Sequence, residues 1–284
     1  MLDIYAPTFN PILKLGGCMV KKFKIILICL FCLFLITEVQ AESPLNAEER
    51  AWLKEHGTIK VGVFDLYPPF GFIGGSGEVQ GMSIDFWRLL SSNLNFWVQF
   101  YPAQFNNQLE GLKNGKYDSL AGIFSLKERL EFFDFSKPYT TILTNIYMKP
   151  GISNVKELKD LKELRTTVVE GDSGQVIAIN AGLKPLSVAT YREAVFDLAN
   201  GATDAIIMDE LVVAYLAEQN DLRDKIIKIG QPVDKGKMTL PVKKGTTILL
   251  NILNKGIDMI SKHEWKEIEE RWLGKETKNI RKSK

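Results

Sequence analysis

The stretch "LKNGKYDSLAGI", Leu112–Ile123, returns in outline as "LANGATDAIIMD", Leu198–Asp209. Both copies read Leu-x-Asn-Gly-x-x-Asp and continue into an apolar run. This pattern predicts a helix that ends at a left-handed glycine, followed at once by a strand. A match this short can arise by chance, but each copy lies in a similar stretch of alternating helices and strands. We therefore favour two lobes of the same design.

The alternation itself predicts the fold class. Apolar strands are expected at "IKVGVF" (59–64), "FWVQFYP" (96–102), "YDSLAGIF" (117–124) and "RTTVVE" (165–170), with amphipathic helices between them. This order is typical of α/β proteins with largely parallel sheets. Thr190-x-x-Glu193 and Ser125-x-x-Glu128 are capping boxes that predict two helix starts. After the strand and turn of "KMTLPVKKG", two helices are expected between 246 and 272, and they are expected to pack back on the first lobe.

The N-terminus has the parts of a secretory signal peptide. Lysines precede a short apolar run (25–36), and Val39-Gln40-Ala41 is a small-x-small cleavage pattern. We predict that residues 1–41 form the signal peptide, with Met19 as its natural start. The mature protein is then expected in the periplasm, without a lipid anchor.

Charge and cysteine content exclude several classes of function. Residues 1–41 carry four lysines and two acidic side chains, so the other 243 residues balance at 32 basic and 32 acidic. This balance gives no electrostatic case for nucleic acid or an anionic membrane. All three cysteines lie in the first 41 residues, and only His56 and His263 remain as histidines. We therefore expect no disulfide, no metal site and no cofactor in the mature chain.

The segment "VVEGDSGQV" raises the question of a serine hydrolase, because Gly171-Asp172-Ser173-Gly174 also surrounds the nucleophile of chymotrypsin-like proteases. Such a serine needs a neighbouring base, almost always histidine, and His56 and His263 both lie in charged segments typical of the surface. The Gly-x-Ser-x-Gly elbow of α/β-hydrolases is also missing. A strand-turn-helix junction offers another use for these residues, since it directs free N–H groups at a ligand. A plain helix cap without a ligand explains the motif equally well.

Four blocks together carry a resemblance to a known family: "VGVFDLYPPFGF", "SIDFWRLL", "LKNGKYDSLAGIFSLKERLEFFDFSKPY" and "VVEGDSG…ANGATDAIIMDE". In this order they resemble the family 3 bacterial extracellular solute-binding proteins, which include the polar-amino-acid receptors of ABC importers. They are also similar to periplasmic sensor domains of some histidine kinases. The likeness extends from about Leu45 to Leu273, and Lys127–Tyr139 is its most specific part.

The resemblance implies the two-lobed Venus flytrap fold of periplasmic binding proteins, with each lobe a mainly parallel sheet flanked by helices. Lobe 1 would comprise residues 42–145 and 232–274, and lobe 2 residues 146–231. The chain would cross out near Leu143–Tyr147 and return near Lys228–Asp234, and the lobes would close by a hinge motion. The last residues, 275–284, are expected to form a disordered basic tail.

The resemblance also implies a binding site. Arg129 matches the arginine that grips the ligand carboxylate, although alone it reads as a surface partner of Glu128 or Glu131. Asp209 matches the acid that holds the α-ammonium, although it also reads as a helix N-cap. The remaining matches are two rings that sandwich the ligand side chain, a glycine that lets the backbone approach, and the carboxylate contact of lobe 2: Tyr67, Phe105, Gly122, Gly171 and Ser173.

One position departs from the family pattern. Phe124 stands where relatives have Ser or Thr, so a ring replaces a hydroxyl donor five residues before Arg129. Together with Phe64, Tyr67 and Phe105, it predicts an aromatic lining and a weaker grip on a carboxylate.

Three functions remain open at this point. The first is a monomeric, non-enzymatic receptor that delivers an amino acid or similar zwitterion to an ABC permease. The second is a ligand-sensing domain that acts on a membrane signalling partner, since the lead-in "LNAEERAWLKEHGTIKVGV" resembles sensor domains. The third, which ranks below both, is a cyclohexadienyl-dehydratase-like enzyme with Asp65 or Glu210 as its acid or base.

Overall fold

The computed structural model describes residues 43–151 and 154–273 of the 284-residue chain. The predicted signal peptide and basic tail lie outside the described residues. The strands are β1 (Thr58–Phe64), β2 (Leu66–Tyr67), β3 (Gly71–Ile73), β4 (Val79–Gln80), β5 (Trp97–Ala103), β6 (Ser119–Leu120), β7 (Ile123–Phe124), β8 (Phe133–Phe135), β9 (Thr140–Met148), β10 (Thr166–Val169), β11 (Leu186–Val188), β12 (Ala205–Asp209), β13 (Ile227–Thr239) and β14 (Pro241–Lys243). The α-helices are α1 (Ala47–His56), α2 (Met82–Leu94), α3 (Phe105–Lys113), α4 (Ser173–Asn180), α5 (Tyr191–Asn200), α6 (Glu210–Gln219), α7 (Thr247–Met259) and α8 (Lys262–Leu273). Short 3₁₀ turns lie at Lys127–Arg129, Leu158–Leu161 and Arg223–Lys225.

These strands form two large mixed sheets. The first has the order β5-β1-β6-β14-β8 and the second the order β11-β10-β12-β9-β13-β7. In both, the first three strands are parallel and the later ones join antiparallel. The expected α/β class is thus confirmed. Each large sheet is parallel over its first three strands and antiparallel over the rest. A small antiparallel sheet, β2-β3-β4, adjoins β1.

The repeated Leu-x-Asn-Gly pattern gives the same local structure twice. Gly115 follows α3 with a φ of 76°, and Gly201 ends α5 with a φ of 81°. Both angles are left-handed, which glycine adopts without steric cost. Strands β6 and β12 begin four residues later in each case, so this prediction is confirmed.

The long strands β9 and β13 pair antiparallel over most of their length, with a register shift between Ile229 and Asp234. On its other side β9 pairs with β12, and the last residues of β13 pair with β7 at the edge of the sheet. The two predicted crossing segments, 143–147 and 228–234, lie inside these strands.

The C-terminal helices pack against α2. Trp87, Leu90 and Ile252 are fully buried there, and each such side chain contributes roughly 1.5–3 kcal/mol by leaving water. Gly256 permits the close approach of α7, because a Cβ at that position would lie 2.8 Å from Leu90 Cγ.

Two local expectations were wrong. Ser125 is exposed and caps no helix; a single 3₁₀ turn follows it, with Leu126 at the cap position. The segment 117–124 is two short strands rather than one, because the chain turns at Gly122 and passes from the first sheet to the second. The Thr190 cap is confirmed, since its hydroxyl accepts the Glu193 N–H at 3.1 Å.

Candidate ligand-binding site

The passage from the first sheet to the second creates a narrow point at Gly122. A Cβ at that position would collide with the hydroxyl of Tyr139 and would lie 3.1 Å from Met238 Sδ. Phe124 follows two residues later and is buried. The absence of a side chain at Gly122 therefore lets the Tyr139 hydroxyl and Met238 of β13 come close to the chain between β6 and β7.

Arg129 extends from the 3₁₀ turn that follows β7. Its guanidinium donates hydrogen bonds to the Phe124 carbonyl at 2.9 Å and to the Gly171 carbonyl at 3.3 Å. It also lies over the Phe105 ring, 5.3 Å from the centroid. Burial lowers the pKa of the Arg129 guanidinium, and the negative charge of the nearby Asp172 opposes part of that fall. Arg129 therefore lies in the cleft. Its hydrogen bonds go to backbone carbonyls and not to Glu128 or Glu131.

Asp209 ends β12 and is fully buried. One carboxylate oxygen accepts from the Tyr67 hydroxyl at 2.6 Å and the other from Thr144 Oγ1 at 2.9 Å. Burial raises the pKa of Asp209 to about 8, with a further contribution from the negative charge of Asp172. Its side chain makes no N-cap hydrogen bond to α6.

A second carboxylate–tyrosine pair lies beside the first. Asp172 is 8% exposed, and its carboxylate is hydrogen-bonded to the Tyr191 hydroxyl. Burial raises the pKa of Asp172, while the Ser173 and Gly174 N–H groups and the charge of Arg129 oppose that rise. The Tyr67 and Tyr191 rings pack with their centroids 4.9 Å apart.

The GDSG turn directs its groups inward. The Gly171 N–H donates to Gln175 Oε1 at 2.9 Å, and the Ser173 hydroxyl lies 3.4 Å from Asp172 Oδ1. Ser173 is buried and has no histidine beside it, because His56 pairs with Asp118 and His263 with Glu267. The turn therefore has no nucleophile–base pair. Of the N–H groups that the junction was expected to offer to a ligand, that of Gly171 is already bonded within the chain.

Two adjoining cavities share the rings of Phe64, Tyr67, Phe105 and Tyr191. The larger of the two has a volume of about 130 Å³ and is completed by Asp65, Leu66, Gln104, Asn106, Val169, Glu170, Ala189 and Thr190. The smaller one is completed by Gly122, Ile123, Phe124, Arg129, Asp172 and Met238. The Phe64 and Phe105 rings, which line both cavities, pack with their centroids 4.5 Å apart.

Four of the seven residues selected from the sequence line these cavities: Tyr67, Phe105, Gly122 and Arg129. Gly171 borders them through its carbonyl, which accepts from Arg129. Asp209 and Ser173 line neither cavity. Asp209 accepts a hydrogen bond from the Tyr67 hydroxyl, and the Ser173 hydroxyl contacts Asp172.

Sequence reasoning missed Asp172, Tyr191, Thr144 and Met238. A signal existed for Asp172, since it is the charged residue inside the GDSG motif. None existed for Thr144, which meets Asp209 only because β9 and β12 are paired neighbours.

Within residues 43–151 and 154–273, no cluster of three or more His, Cys, Asp or Glu residues is arranged to hold a metal ion. In the same ranges, no helix combines the length and the apolar character needed to span a bilayer.

Comparison with known proteins places this geometry in a family. The L-cystine-binding protein TcyJ of Escherichia coli (strain K12) is 27% identical over 228 residues, which cover 78% of this chain and 85% of TcyJ. The virulence sensor protein BvgS of Bordetella pertussis (strain Tohama I) is 24% identical over 238 residues, which cover 82% of this chain and 19% of BvgS. An ancestral arginine-binding protein, solved with bound glutamine, is 30% identical with a TM-score of 0.69 and covers 77% of this chain and 99% of its own.

The fold is accordingly the two-lobed Venus flytrap fold of periplasmic binding proteins. The family model for bacterial extracellular solute-binding proteins, family 3, matches residues 59–275, more than half of the chain. This chain therefore belongs to the bacterial extracellular solute-binding proteins of family 3.

Proposed function

We propose that this protein is a periplasmic receptor that captures an amino acid or a similar small zwitterion and delivers it to an ABC-type permease. The observation that carries the proposal is the cleft guanidinium of Arg129, which lies over the Phe105 ring and shares its cavity with Tyr67, the hydrogen-bond partner of the buried Asp209. A planar guanidinium suits a carboxylate, and a carboxylate suits an ammonium group. The names of the relatives, which bind cystine or arginine, agree with this choice of ligand.

In this proposal Arg129, Gly171 and Ser173 hold the ligand carboxylate, and Asp209 holds its α-ammonium. Tyr67 and Phe105 enclose the ligand side chain, and Gly122 leaves room for the ligand. Four internal contacts have to give way when the ligand enters. Two of them are Arg129 with the Gly171 carbonyl and Tyr67 with Asp209. The others are the Gly171 N–H with Gln175 and the Ser173 hydroxyl with Asp172. Ligand groups then take over the partners that these side chains have in the ligand-free cleft.

The lobes proposed for this motion are residues 42–145 with 232–274, and residues 146–231. Strands β9 and β13 join them, and the register shift between Ile229 and Asp234 offers a local irregularity at which β13 can bend. We propose a monomer that is exported by its signal peptide, binds no nucleic acid and has no enzymatic activity. Glu210, one candidate acid, is buried and paired with Lys228 at 3.4 Å, which supports a structural role.

A sensing role is the second candidate. It is favoured by the lead-in to β1, which resembles the start of sensor domains and forms helix α1, joined to α7 by an ion pair from Glu49 to Lys255 at 2.7 Å. The similarity to BvgS spans 82% of this chain. Under this reading the ligand-bound receptor acts on a membrane signalling protein instead of a permease.

A thermal-shift screen of refolded, ligand-free protein tests the receptor proposal. The panel holds the twenty L-amino acids, common opines and polyamines. Ligand at a hundred times its Kd stabilises a protein by about 2.7 kcal/mol, which is visible as a shift in Tm. We expect one or more zwitterions to raise the Tm, and we expect Arg129→Ala and Asp209→Ala to remove that rise.

Arg88→Ala is the matched control, because Arg88 is an exposed arginine of α2 that pairs with Asp85 at 3.2 Å. It should keep the full ligand-induced rise. A rise that survives in Arg129→Ala would contradict the proposed site. Absence of any shift, together with turnover of prephenate or arogenate, would favour the enzymatic reading, and co-purification with a membrane sensor would favour the second candidate.

A further inference from the structure

A ring contact between the proposed lobes lies outside the two cavities. Phe72 of β3 and Tyr215 of α6 pack with their ring centroids 5.8 Å apart. Phe72 belongs to the proposed lobe 1 and Tyr215 to the proposed lobe 2. Neither ring lines the larger or the smaller cavity. The contact therefore stands apart from the groups that are proposed to hold a ligand.

The Phe72 ring is also held by its own lobe. The Trp272 ring of α8 packs edge-on against it, with the centroids 5.6 Å apart and an interplanar angle of 82°. Trp272 Nε1 donates to Asp85 Oδ2 at 2.9 Å, and Arg271 pairs with the same oxygen at 2.7 Å. Asp85 lies on α2, so these bonds fix the end of α8 to lobe 1. The Phe72 ring thus has a set position from which to meet Tyr215.

The hairpin that carries Phe72 also reaches the cleft. Strands β2 and β3 pair antiparallel, and Tyr67 lies on β2. Tyr67 donates to Asp209 and packs against the Tyr191 ring. The same hairpin therefore contacts lobe 2 both inside the cleft and outside it. When the lobes separate, the contact of Phe72 with Tyr215 is expected to break together with the contacts of Tyr67.

A contact that exists only in the closed form stabilises that form relative to the open one. An aromatic pair is strong enough to change the ratio of closed to open molecules by about two- to ten-fold. A bound ligand leaves a closed cleft only after the cleft opens. A ring contact outside the cavities therefore slows release without touching the ligand.

We propose that Phe72 and Tyr215 are positioning residues of the receptor, which hold the lobes closed through a ring contact that no ligand group replaces. In this they differ from Tyr67 and Asp209, whose hydrogen bond gives way to the ligand. The inference rests on the two-lobed motion of the proposed function. It adds a closing contact that persists when a ligand is bound.

The ratio of open to closed molecules can be measured without a ligand. Nitroxide labels at Asn107→Cys and Lys184→Cys, two exposed positions in different proposed lobes, report the distance between the lobes. Residues 42–284 contain no native cysteine, so the mature protein is labelled at these two positions alone. Pulsed electron spin resonance should give a ratio of open to closed molecules about two- to ten-fold higher in Tyr215→Ala than in the unsubstituted labelled protein. Tyr215→Phe keeps the ring and should keep the ratio.

Phe72→Ala removes the other ring of the contact and should raise the ratio in the same way. The double variant should raise it no further than the larger single effect, because both substitutions remove one contact. Phe132→Ala is the matched control, since Phe132 is a half-buried ring that packs against Phe133 of its own lobe. It should leave the distances unchanged. The two alanine variants alter different lobes, so misfolding of one leaves the other to decide.

The inference is overturned if Phe72→Ala and Tyr215→Ala keep the original distances, or if Phe132→Ala opens the cleft as much as they do. A double variant that shows the product of the two single effects also overturns it, because the rings then act separately. So does an unsubstituted protein that shows the open distance alone. None of these results bears on ligand recognition, which the thermal-shift screen tests separately.

Discussion

At the scale of single residues, the burial of Asp209 makes the stability of the ligand-free protein depend on pH. Burial raises its pKa from the ordinary value of 3.8 to about 8. Between these two values the folded protein holds a proton that the unfolded chain releases, so the free energy of unfolding falls as pH rises. The stabilising contribution is complete below pH 3.8 and is lost as pH approaches 8.

Asp209→Asn should flatten this dependence. We expect the wild type to lose free energy of unfolding from pH 5 to pH 8 with a steeper slope than the variant. The difference has an upper limit of about 1.4 kcal/mol per pH unit, the value for one proton. Urea unfolding at four pH values measures it. Asp258→Asn, at an exposed ion pair with Lys137, should keep the wild-type slope; equal slopes in wild type and Asp209→Asn would contradict the assignment.

The residues of the cleft show which parts of the site the sequence predicts and which it does not. Arg129 and Tyr67 stand in motifs whose order is visible in the chain, and the structure brings both to one cleft. The pairing of Asp172 with Tyr191 is different, because it joins the turn after β10 to the first residue of α5. Such a contact between distant segments has no local pattern. The sequence motif therefore places Asp172 in a turn and does not indicate its contact with Tyr191.

At the scale of elements, the contact of α4 with β12 depends on Gly174. A Cβ there would lie 2.5 Å from the Ile207 carbonyl oxygen. Gly174→Ala should therefore lower the free energy of unfolding, because overpacking costs about 1–3 kcal/mol and the better helix propensity of alanine returns at most about 1 kcal/mol. Urea unfolding is the measurement.

Gly75→Ala provides the control for that experiment. Gly75 has open space where a Cβ would stand, so the substitution should leave stability unchanged or raise it slightly. If Gly174→Ala were as stable as the wild type, α4 would have moved away from β12. The position of the GDSG turn in the cleft would then be adjustable rather than held by packing.

The elements also show where sequence patterns succeed. Thr190 and Ser125 begin capping boxes of the same type, but of these two only Thr190 caps a helix. The stretch after Ser125 is held differently, because Arg129 donates to the Phe124 carbonyl and the chain makes one 3₁₀ turn before β8. Here the hydrogen bond from Arg129, a cleft residue, holds the chain in place of a cap by Ser125. Tertiary contacts of this kind override a three-residue signal.

At the scale of the whole molecule, hydrogen bonds across the cleft join the proposed lobes in the described conformation. Tyr67 donates to Asp209 at 2.6 Å, and Arg129 donates to the Gly171 carbonyl at 3.3 Å. The two-lobed plan could be predicted from the repeated Leu-x-Asn-Gly pattern and the family motifs. The degree of closure could not, because it depends on a few side-chain pairs between segments as distant as 67 and 209.

Tyr67→Phe should shift the ligand-free protein toward an open form. The loss of one hydrogen bond, worth about 1 kcal/mol, changes the ratio of closed to open molecules by about five-fold. Small-angle X-ray scattering should then give a larger radius of gyration for Tyr67→Phe than for the wild type. Tyr215→Phe, which removes the hydroxyl of a partly exposed ring on α6, should leave the radius unchanged. Equal radii in the wild type and Tyr67→Phe would mean that the Tyr67–Asp209 hydrogen bond does not control closure, and that ring contacts such as Tyr67–Tyr191 hold the cleft closed instead.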